Sequence, residues 1–288
     1  MPTLAACLAL TTALAALITL SLSHRARNWI FAALWQLGGA AQLDAKLRAA
    51  KLALMADHPL RGRVLDVGSG EGVNLKYLAA APVTEIVCVE PNPYFHRKLR
   101  ATARATVEVR RESKGPPLSI RIFAGTLREF ADEENFVLFD AVVCFLVLCS
   151  VDHLDSELDA AVRLLKPSGA LYYIEHVGGQ GTILRSLQHV MQPAWNLIGD
   201  GCQLCRDTGV ALAKQAGLTG ERQPERRLSL LAGLLPVICG VCHAKKPDAV
   251  SERAARWQRR ERARSPVRRK GRHWEVTSNR NVVVVVER

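Results

Sequence analysis

No internal repeat runs through the 288 residues, which excludes solenoid and propeller architectures. A disulfide framework is missing too. Cys7, Cys88, Cys144, Cys149, Cys202, Cys205, Cys239 and Cys242 are scattered through a chain too long to need stapling, and several sit in apolar runs. That usage fits thiols packed as small hydrophobes in a reducing compartment. The body also lacks a large excess of positive charge. The formal charge is +12, but residues 247–288 hold twelve Lys/Arg against five acids, a net +7, which leaves +5 for the other 246 residues. The basic balance belongs to a tail, and a nucleic-acid partner is not expected of the body. From Leu4 to Leu22 charge of either sign is absent over 19 residues, and His24, Arg25 and Arg27 follow. Such a stretch is just long enough to span a bilayer. An uncleaved signal-anchor is the preferred reading. A cleaved signal peptide, with Ser21 and Ser23 as small residues at the cut, and an amphipathic segment stay open. An anchor followed by positive residues leaves the body in the cytosol.

What is present is organised around Val64-Leu65-Asp66-Val67-Gly68-Ser69-Gly70-Glu71-Gly72 and the acid that answers it, Glu90. Four residues suited to a buried strand run into three alternating glycines, and a second apolar strand ends on a carboxylate about twenty residues later. This is the pattern of a nucleotide-binding β-α-β unit. Glycines at such a turn are expected to let backbone N–H groups approach a ligand closely. Glu90 is placed to accept hydrogen bonds from both hydroxyls of a ribose. NAD enzymes usually carry a third glycine three residues after the second, whereas here it follows after two.

The chain then alternates strands and helices. Asp44–Ala56 reads as an amphipathic helix, 94–105 as a second, and Arg110–Pro117 as a surface loop. Leu118–Ala124 alternates like a strand, and Asp140–Cys149 is a nearly continuous apolar run expected of a buried parallel strand. Leu154–Leu165 is helical by spacing, Ala170–Val177 is a fifth strand, 183–195 and 207–216 are helices, and 228–235 with 236–244 are closing strands. That rhythm gives an α/β fold, a doubly wound, mostly parallel sheet of seven strands. Four regions follow: a membrane segment (1–28), lead-in and lid helices (29–59), the catalytic domain (60–246), and a basic tail expected to be disordered (247–288). The tail ends in five valines, Val282–Val286, a sticky strand if unpaired.

The glycine turn, Glu90, Phe139-Asp140-Ala141-Val142-Val143 and Leu164-Leu165-Lys166-Pro167-Ser168-Gly169 together resemble the class I S-adenosylmethionine-dependent methyltransferases, whose sheet is Rossmann-like. A closer likeness covers residues 25–246. Glu90-Pro91-Asn92-Pro93, Leu146-Val147-Leu148-Cys149-Ser150, Glu175-His176-Val177, Gln192-Pro193-Ala194-Trp195 and Gly199-Asp200-Gly201-Cys202 resemble the membrane-anchored alkyl-thiol methyltransferases, the type 7 methyltransferase-like group. The resemblance implies S-adenosylmethionine as cofactor and a small lipophilic thiol as acceptor. It also implies attachment to the endoplasmic reticulum membrane or lipid droplets, facing the cytosol. Glu90 stands where an aspartate is commoner, and the tail has no counterpart in that family.

By the same resemblance, Gly68, Ser69, Gly70 and Gly72 shape the turn around the methionine part, and Asp66 steers its amino group. Glu90, with Pro91 and Asn92, holds the ribose; Gly125 and Thr126 flank the adenine; Phe145 and Leu146 border the methyl group. A thiolate is already a good nucleophile, so alignment and exclusion of water suffice and no strong base need be visible. His176 is a candidate for assisting thiol deprotonation, or a histidine hydrogen-bonded in place to orient a loop. Asp200 faces the pocket or caps a helix. Cys202/Cys205 and Cys239/Cys242 form two CxxC pairs, but their long separation and the strand context of the second pair argue against zinc, and no metal is expected. Two alternatives stay in view: methylation of a lipid or quinone oxygen or nitrogen, which needs a placed base, and a non-catalytic, membrane-tethered binding protein.

Overall fold

A computed structural model describes residues 3, 12, 23–134, 137–219, 226–230, 233–245, 274–279 and 282–287. The expected anchor at 4–22 lies outside these residues except for Thr12. Among the described residues no helix is long and apolar enough to cross a membrane.

Strands β1 (Gly62–Val67), β2 (Val83–Val89), β3 (Ser119–Phe123), β4 (Phe139–Phe145) and β5 (Leu165–His176) are parallel, in the order β3-β2-β1-β4-β5. Strand β8 (Leu235–Ala244) runs antiparallel beside β5, and β6 (Leu218–Thr219) lies beyond it. All of these but the two-residue β6 answer to expected strands; the seventh expected, at 228–235, corresponds to the strand that comes next, and ten are described in all. β7 (Arg226–Leu230) pairs with β8 at the end that β6 leaves uncovered. The tail supplies the other two: β10 (Val282–Glu287) pairs parallel with β3, and β9 (Trp274–Asn279) pairs antiparallel with β10. The expectation of a wholly disordered tail is corrected at these residues. An open parallel edge at β3 offers unpaired N–H and C=O groups, and a run of five valines is strongly suited to occupy it.

Side chains alternate across the sheet and divide the core into two layers. Val64, Ile86, Ile120, Val143 and Ile174 pack on one face. Leu65, Val87, Phe123, Val142 and Leu171 pack on the other. Burial on both faces is why these strands read as continuous apolar runs. The first face is covered by α2 (Ala40–Asp57), the short α3 (Leu75–Leu78) and α4 (Pro93–Glu112), the second by α5 (Leu127–Glu133), α6 (Leu154–Leu164) and α8 (Thr208–Lys214). Helix α4 runs further than its apolar spacing suggests. Arg110, expected in a loop, sits in its last turn and donates to the carbonyls of Ala79 and Ala81, before β2, and of Val83, its first residue, which holds that turn against the body.

Ahead of the sheet, α1 (His24–Leu34) is capped by Ser23 and passes through a π-helical kink (Trp35–Gly39) into α2. Gly38 has φ +126°, a conformation that a side chain would resist. The kink brings Trp35 over the glycine turn after β1, its Nε1 3.6 Å from where a Cβ on Gly70 would lie.

Candidate active site

A cavity of about 520 Å³ opens at the carboxyl ends of β1, β2 and β4. That is where ligands sit in doubly wound sheets. Of the residues anticipated from sequence, Gly68, Ser69, Gly70, Glu90, Pro91, Asn92, Thr126, Phe145, Leu146 and Asp200 line it. Asp66, Gly72, Gly125 and His176 are not among the lining residues.

The glycine turn works differently from the expectation. Gly68 and Ser69 donate their N–H groups to the carbonyl of Val89, at 2.8 and 3.3 Å, and Gly72 donates to Ser69 at 2.9 Å. Gly70 donates to Glu90 Oε2 at 2.7 Å. These donors are used inside the protein, closing the turn onto the end of β2. Glycine is needed because φ is +64° at Gly68 and +55° at Gly70, and a Cβ on Gly68 would lie 2.6 Å from Val147 Cγ2. Gly72 packs instead against Leu75, Leu99 and Thr102.

Glu90 ends β2 and is 4% exposed. Its Oε1 accepts from the Asn92 N–H at 2.8 Å, and Oε2 from Gly70. An ionised carboxylate offers about four acceptor positions, so about two remain for groups entering the cavity. Burial pushes its pKa up to about 7, against the two backbone hydrogen bonds. Asn92 also caps α4 by accepting from Tyr94 N–H.

Asp66 is fully buried, and burial raises it to about 6. Its Oδ1 accepts from Asn74 Nδ2 at 3.1 Å, while Oδ2 is buried without a partner. Asp66 meets the cavity through a network that the sequence reading missed. Lys51 Nζ donates to Asn74 Oδ1 at 2.8 Å and to Asp44 Oδ1 at 2.7 Å. Tyr77 Oη and Lys76 Nζ meet Asp44 Oδ2 at 2.9 and 2.7 Å. Asp44, Lys51 and Asn74 line the cavity. A signal existed: Asp44, Leu47, Lys51 and Leu54 share one helical face, and charges on an apolar stripe need partners.

The loop after β4 is held by a buried acid. Glu175 in β5 accepts from the N–H groups of Val147 (3.1 Å), Leu148 (3.0 Å) and Cys149 (3.1 Å), and burial drives its pKa up to about 8. Those bonds keep Leu146 at φ +60°, a left-handed conformation that costs a bulky residue of order 1–3 kcal/mol. Gly125 is not among the lining residues, and a Cβ there would strike Phe123 and Glu129. Thr126 and Glu129 form a capping box at the start of α5.

The cavity wall also carries apolar side chains, Phe31, Trp35, Leu43, Leu47 and Phe145. Phe31 stacks on Trp35, ring centroids 5.3 Å apart. Asp200 follows α7 (Thr182–Ile198), lines the cavity at φ +50°, and has its pKa raised by burial. With its amide nitrogen turned inward, Asn28 donates to Asp200 Oδ1 at 3.1 Å. Asp200 is therefore a carboxylate that could take a proton from a bound acceptor.

His176 is only 3% exposed and stays out of the cavity wall. The end of β5 pairs with β8, His176 opposite Val237, and its Nδ1 lies 3.7 Å from Cys202 Sγ. Contact with an acceptor in the cavity is not part of this arrangement. A hydrogen bond with Cys149 holds the Cys202 thiol below the ordinary range, helped by His176. Cys239 and Cys242 sit in β8 and pack into opposite layers of the core. Within the CxxC pairs, Cys202 has neighbours that the spacing does not suggest.

Residues 40–221 match the methyltransferase domain family. The chain is 35% identical over 146 residues to thiol S-methyltransferase TMT1B of Rattus norvegicus, covering 50% of this chain and 55% of that protein. It is 33% identical over 152 residues to thiol S-methyltransferase TMT1A of Homo sapiens, covering 52% and 58%. The chain thus spans about half the length of these curated relatives. Among solved structures, 1,6-didemethyltoxoflavin-N1-methyltransferase of Burkholderia thailandensis superposes with a TM-score of 0.53 at 15% identity, covering 76% of this chain and 87% of that one. That is a likeness of fold.

Proposed function

This chain belongs to the methyltransferase domain family, and from that premise we propose that it transfers a methyl group from S-adenosylmethionine to a small lipophilic thiol. The observation that carries the reading is the cavity itself. Its wall offers Glu90, with acceptor positions to spare, a second partly buried carboxylate, Asp200, near enough to raise the Glu90 pKa, and a set of apolar side chains.

The cavity is of a size that encloses a cofactor and a small acceptor. Glu90 would accept from the two ribose hydroxyls, and Thr126 would border the adenine. Asn74 and Lys51 would meet the amino-acid end, with Asp66 behind them fixing Asn74. The cofactor supplies a methyl group on a sulfonium, open to in-line displacement. Phe145 and Leu146 would hold the acceptor in line, while Trp35 and Phe31 exclude water from above. Transfer would form a carbon–sulfur bond on the acceptor while the cofactor's sulfur kept the electron pair of the bond broken. The thiol proton leaves beforehand, to Asp200 or to solvent. A thiol ionises near pH 8.5, so about a few per cent is thiolate at neutral pH and no strong base is needed; a hydroxyl would demand one.

The chain is further proposed to work at the endoplasmic reticulum membrane or lipid-droplet surface, its catalytic domain in the cytosol. Ile183, Leu187 and Val190 lie at i, i+4 and i+7 on α7 and are exposed, and Trp29, Leu34 and Leu37 are exposed on the N-terminal helical segment. Helix α1 packs on α7. This apolar display and the uncharged segment at 4–22 support membrane attachment.

The test is methyl transfer from S-adenosylmethionine to a small alkyl thiol and to a phenol, with Glu90→Ala and Asp200→Asn as variants. Thiol turnover that disappears with Glu90→Ala is expected. Cofactor binding without thiol turnover would overturn the acceptor assignment. Phenol turnover abolished by Asp200→Asn would favour oxygen methylation. Fractionation of the full chain against one lacking residues 1–22 tests attachment.

A further inference from the structure

We propose that Cys149, His176 and Cys202 form a binding site for a single zinc ion, set behind the wall of the cavity. One possible ligand atom from each residue lies within 4.8 Å of the others. Tetrahedral zinc with sulfur at about 2.3 Å and nitrogen at about 2.0 Å places neighbouring ligand atoms roughly 3.5–3.8 Å apart. Cys202 Sγ and His176 Nδ1 are already 3.7 Å apart.

The three side chains come from separate elements that converge here. Cys149 lies in the loop after β4, His176 ends β5, and Cys202 follows α7. All are buried, at 2%, 3% and 9% exposure. A histidine that merely orients a loop would be expected to use both ring nitrogens. Instead His176 Nε2 is buried without a partner, and Nδ1 has only the long sulfur contact just described. Two thiols and an imidazole form a soft donor set that suits zinc and does not suit magnesium or calcium. Binding would displace two thiol protons to solvent, leaving a site of no net charge.

The backbone of Cys149 is held on both sides. Glu175 fixes the Cys149 N–H at 3.1 Å, and Gln203 N–H donates to the Cys149 carbonyl at 2.9 Å. Three protein ligands leave one tetrahedral position for water. Ser150, Gly201 and Gln203, the chain neighbours of the two cysteines, line the cavity. Metal loading would therefore stiffen the wall around Asp200. The proposal stands on the cluster's geometry and does not depend on which acceptor is methylated.

The test uses the full chain purified under reducing conditions. Elemental analysis should find about one zinc per chain. Cobalt(II) added to the metal-stripped chain should give a thiolate-to-cobalt charge-transfer band in the near ultraviolet. Cys149→Ser and Cys202→Ser should each weaken metal binding by more than roughly tenfold to a hundredfold. Cys205→Ser and Cys239→Ser should bind as the native chain does. Absence of zinc and of the cobalt band in the native chain would overturn the proposal, as would a band that survives both substitutions at the cluster. Should the serine variants not fold, X-ray absorption at the zinc edge of the native chain decides. Two sulfur ligands support the site, and none or four overturn it.

Discussion

Glu90 Oε2 accepts a hydrogen bond from Gly70 N–H at 2.7 Å, so the acid ending β2 is tied to the glycine turn ending β1 before any ligand arrives. The carboxylate that would hold a ribose also fixes the turn around the rest of the cofactor. Burial lifts its pKa from the usual 4.5 to about 7. A raised acid keeps its proton in the folded state where the unfolded chain has lost it. Its contribution to stability is therefore fully present below about pH 4.5 and lost as pH rises to about 7. Ligand binding runs the other way, because ribose hydroxyls donate to the ionised form. Affinity for S-adenosylhomocysteine should rise through about pH 7, by up to about tenfold per pH unit below it. Calorimetric titration across that range checks this, and Glu90→Gln should weaken binding and flatten the profile. A slope unchanged in the variant would assign the proton to another group.

Gly68→Ala should damage both stability and binding. Its φ of +64° would cost an alanine about 1–2 kcal/mol, before the Cβ meets Val147 Cγ2 at 2.6 Å. Because Val147 N–H is held by Glu175, the side chain has little room to withdraw. Adding Val147→Ala should recover the clash part of the loss and leave the conformational part. Thermal melts of the two variants measure the split; equal melts would show that the valine yields freely.

Lys51 joins Asp44 to Asn74, and with 4% and 8% side-chain exposure the Lys51–Asp44 pair is buried. Removing only the cation leaves Asp44 leaning on Lys76, which is largely exposed. Lys51→Met should destabilise the fold by about 3–5 kcal/mol, the cost of breaking a buried pair from one side. Lys51→Met with Asp44→Leu should regain much of that stability, yet cofactor affinity should stay low because Asn74 has lost its partner. Urea unfolding and calorimetry read the two effects separately. Full recovery of affinity in the double variant would make the network purely structural.

How much of this was legible depends on the distance over which each feature is decided. The turn at 68–72 and Glu90 could be read because strand, glycines and acid obey rules local to some twenty-five residues. The Lys51 network was not read, since it exists only once α2 docks over the β1 turn. In that helix the apolar Leu52 is exposed, while the charged Lys51 beside it is buried. His176 stands at the end of β5 as its strand pattern predicts, but pairing with β8 and contact with Cys202 set its surroundings, and Cys202 and Val237 lie 26 and 61 residues further along the chain. The tail strands escaped notice because their composition is polar until the valines, and their partner is an edge more than 150 residues away.

That edge supports a last prediction. In the sheet β10 covers β3, with Val284, Val285 and Val286 in register with Ile120, Arg121 and Ile122. Deleting residues 274–288 would bare a parallel edge strand whose neighbour on the other side is β2. Exposed edges pair with other chains, so the truncated protein should associate in a concentration-dependent way visible by light scattering. Cofactor affinity should hold within about twofold, because Thr126, the cavity residue after β3, is fixed by its own capping box with Glu129. The hairpin would then serve as an edge guard, dispensable for binding. A truncated chain that stays monomeric would show that β3 needs no cover. A chain that stays dispersed but loses affinity would mean that β10 positions the end of β3, and with it Thr126.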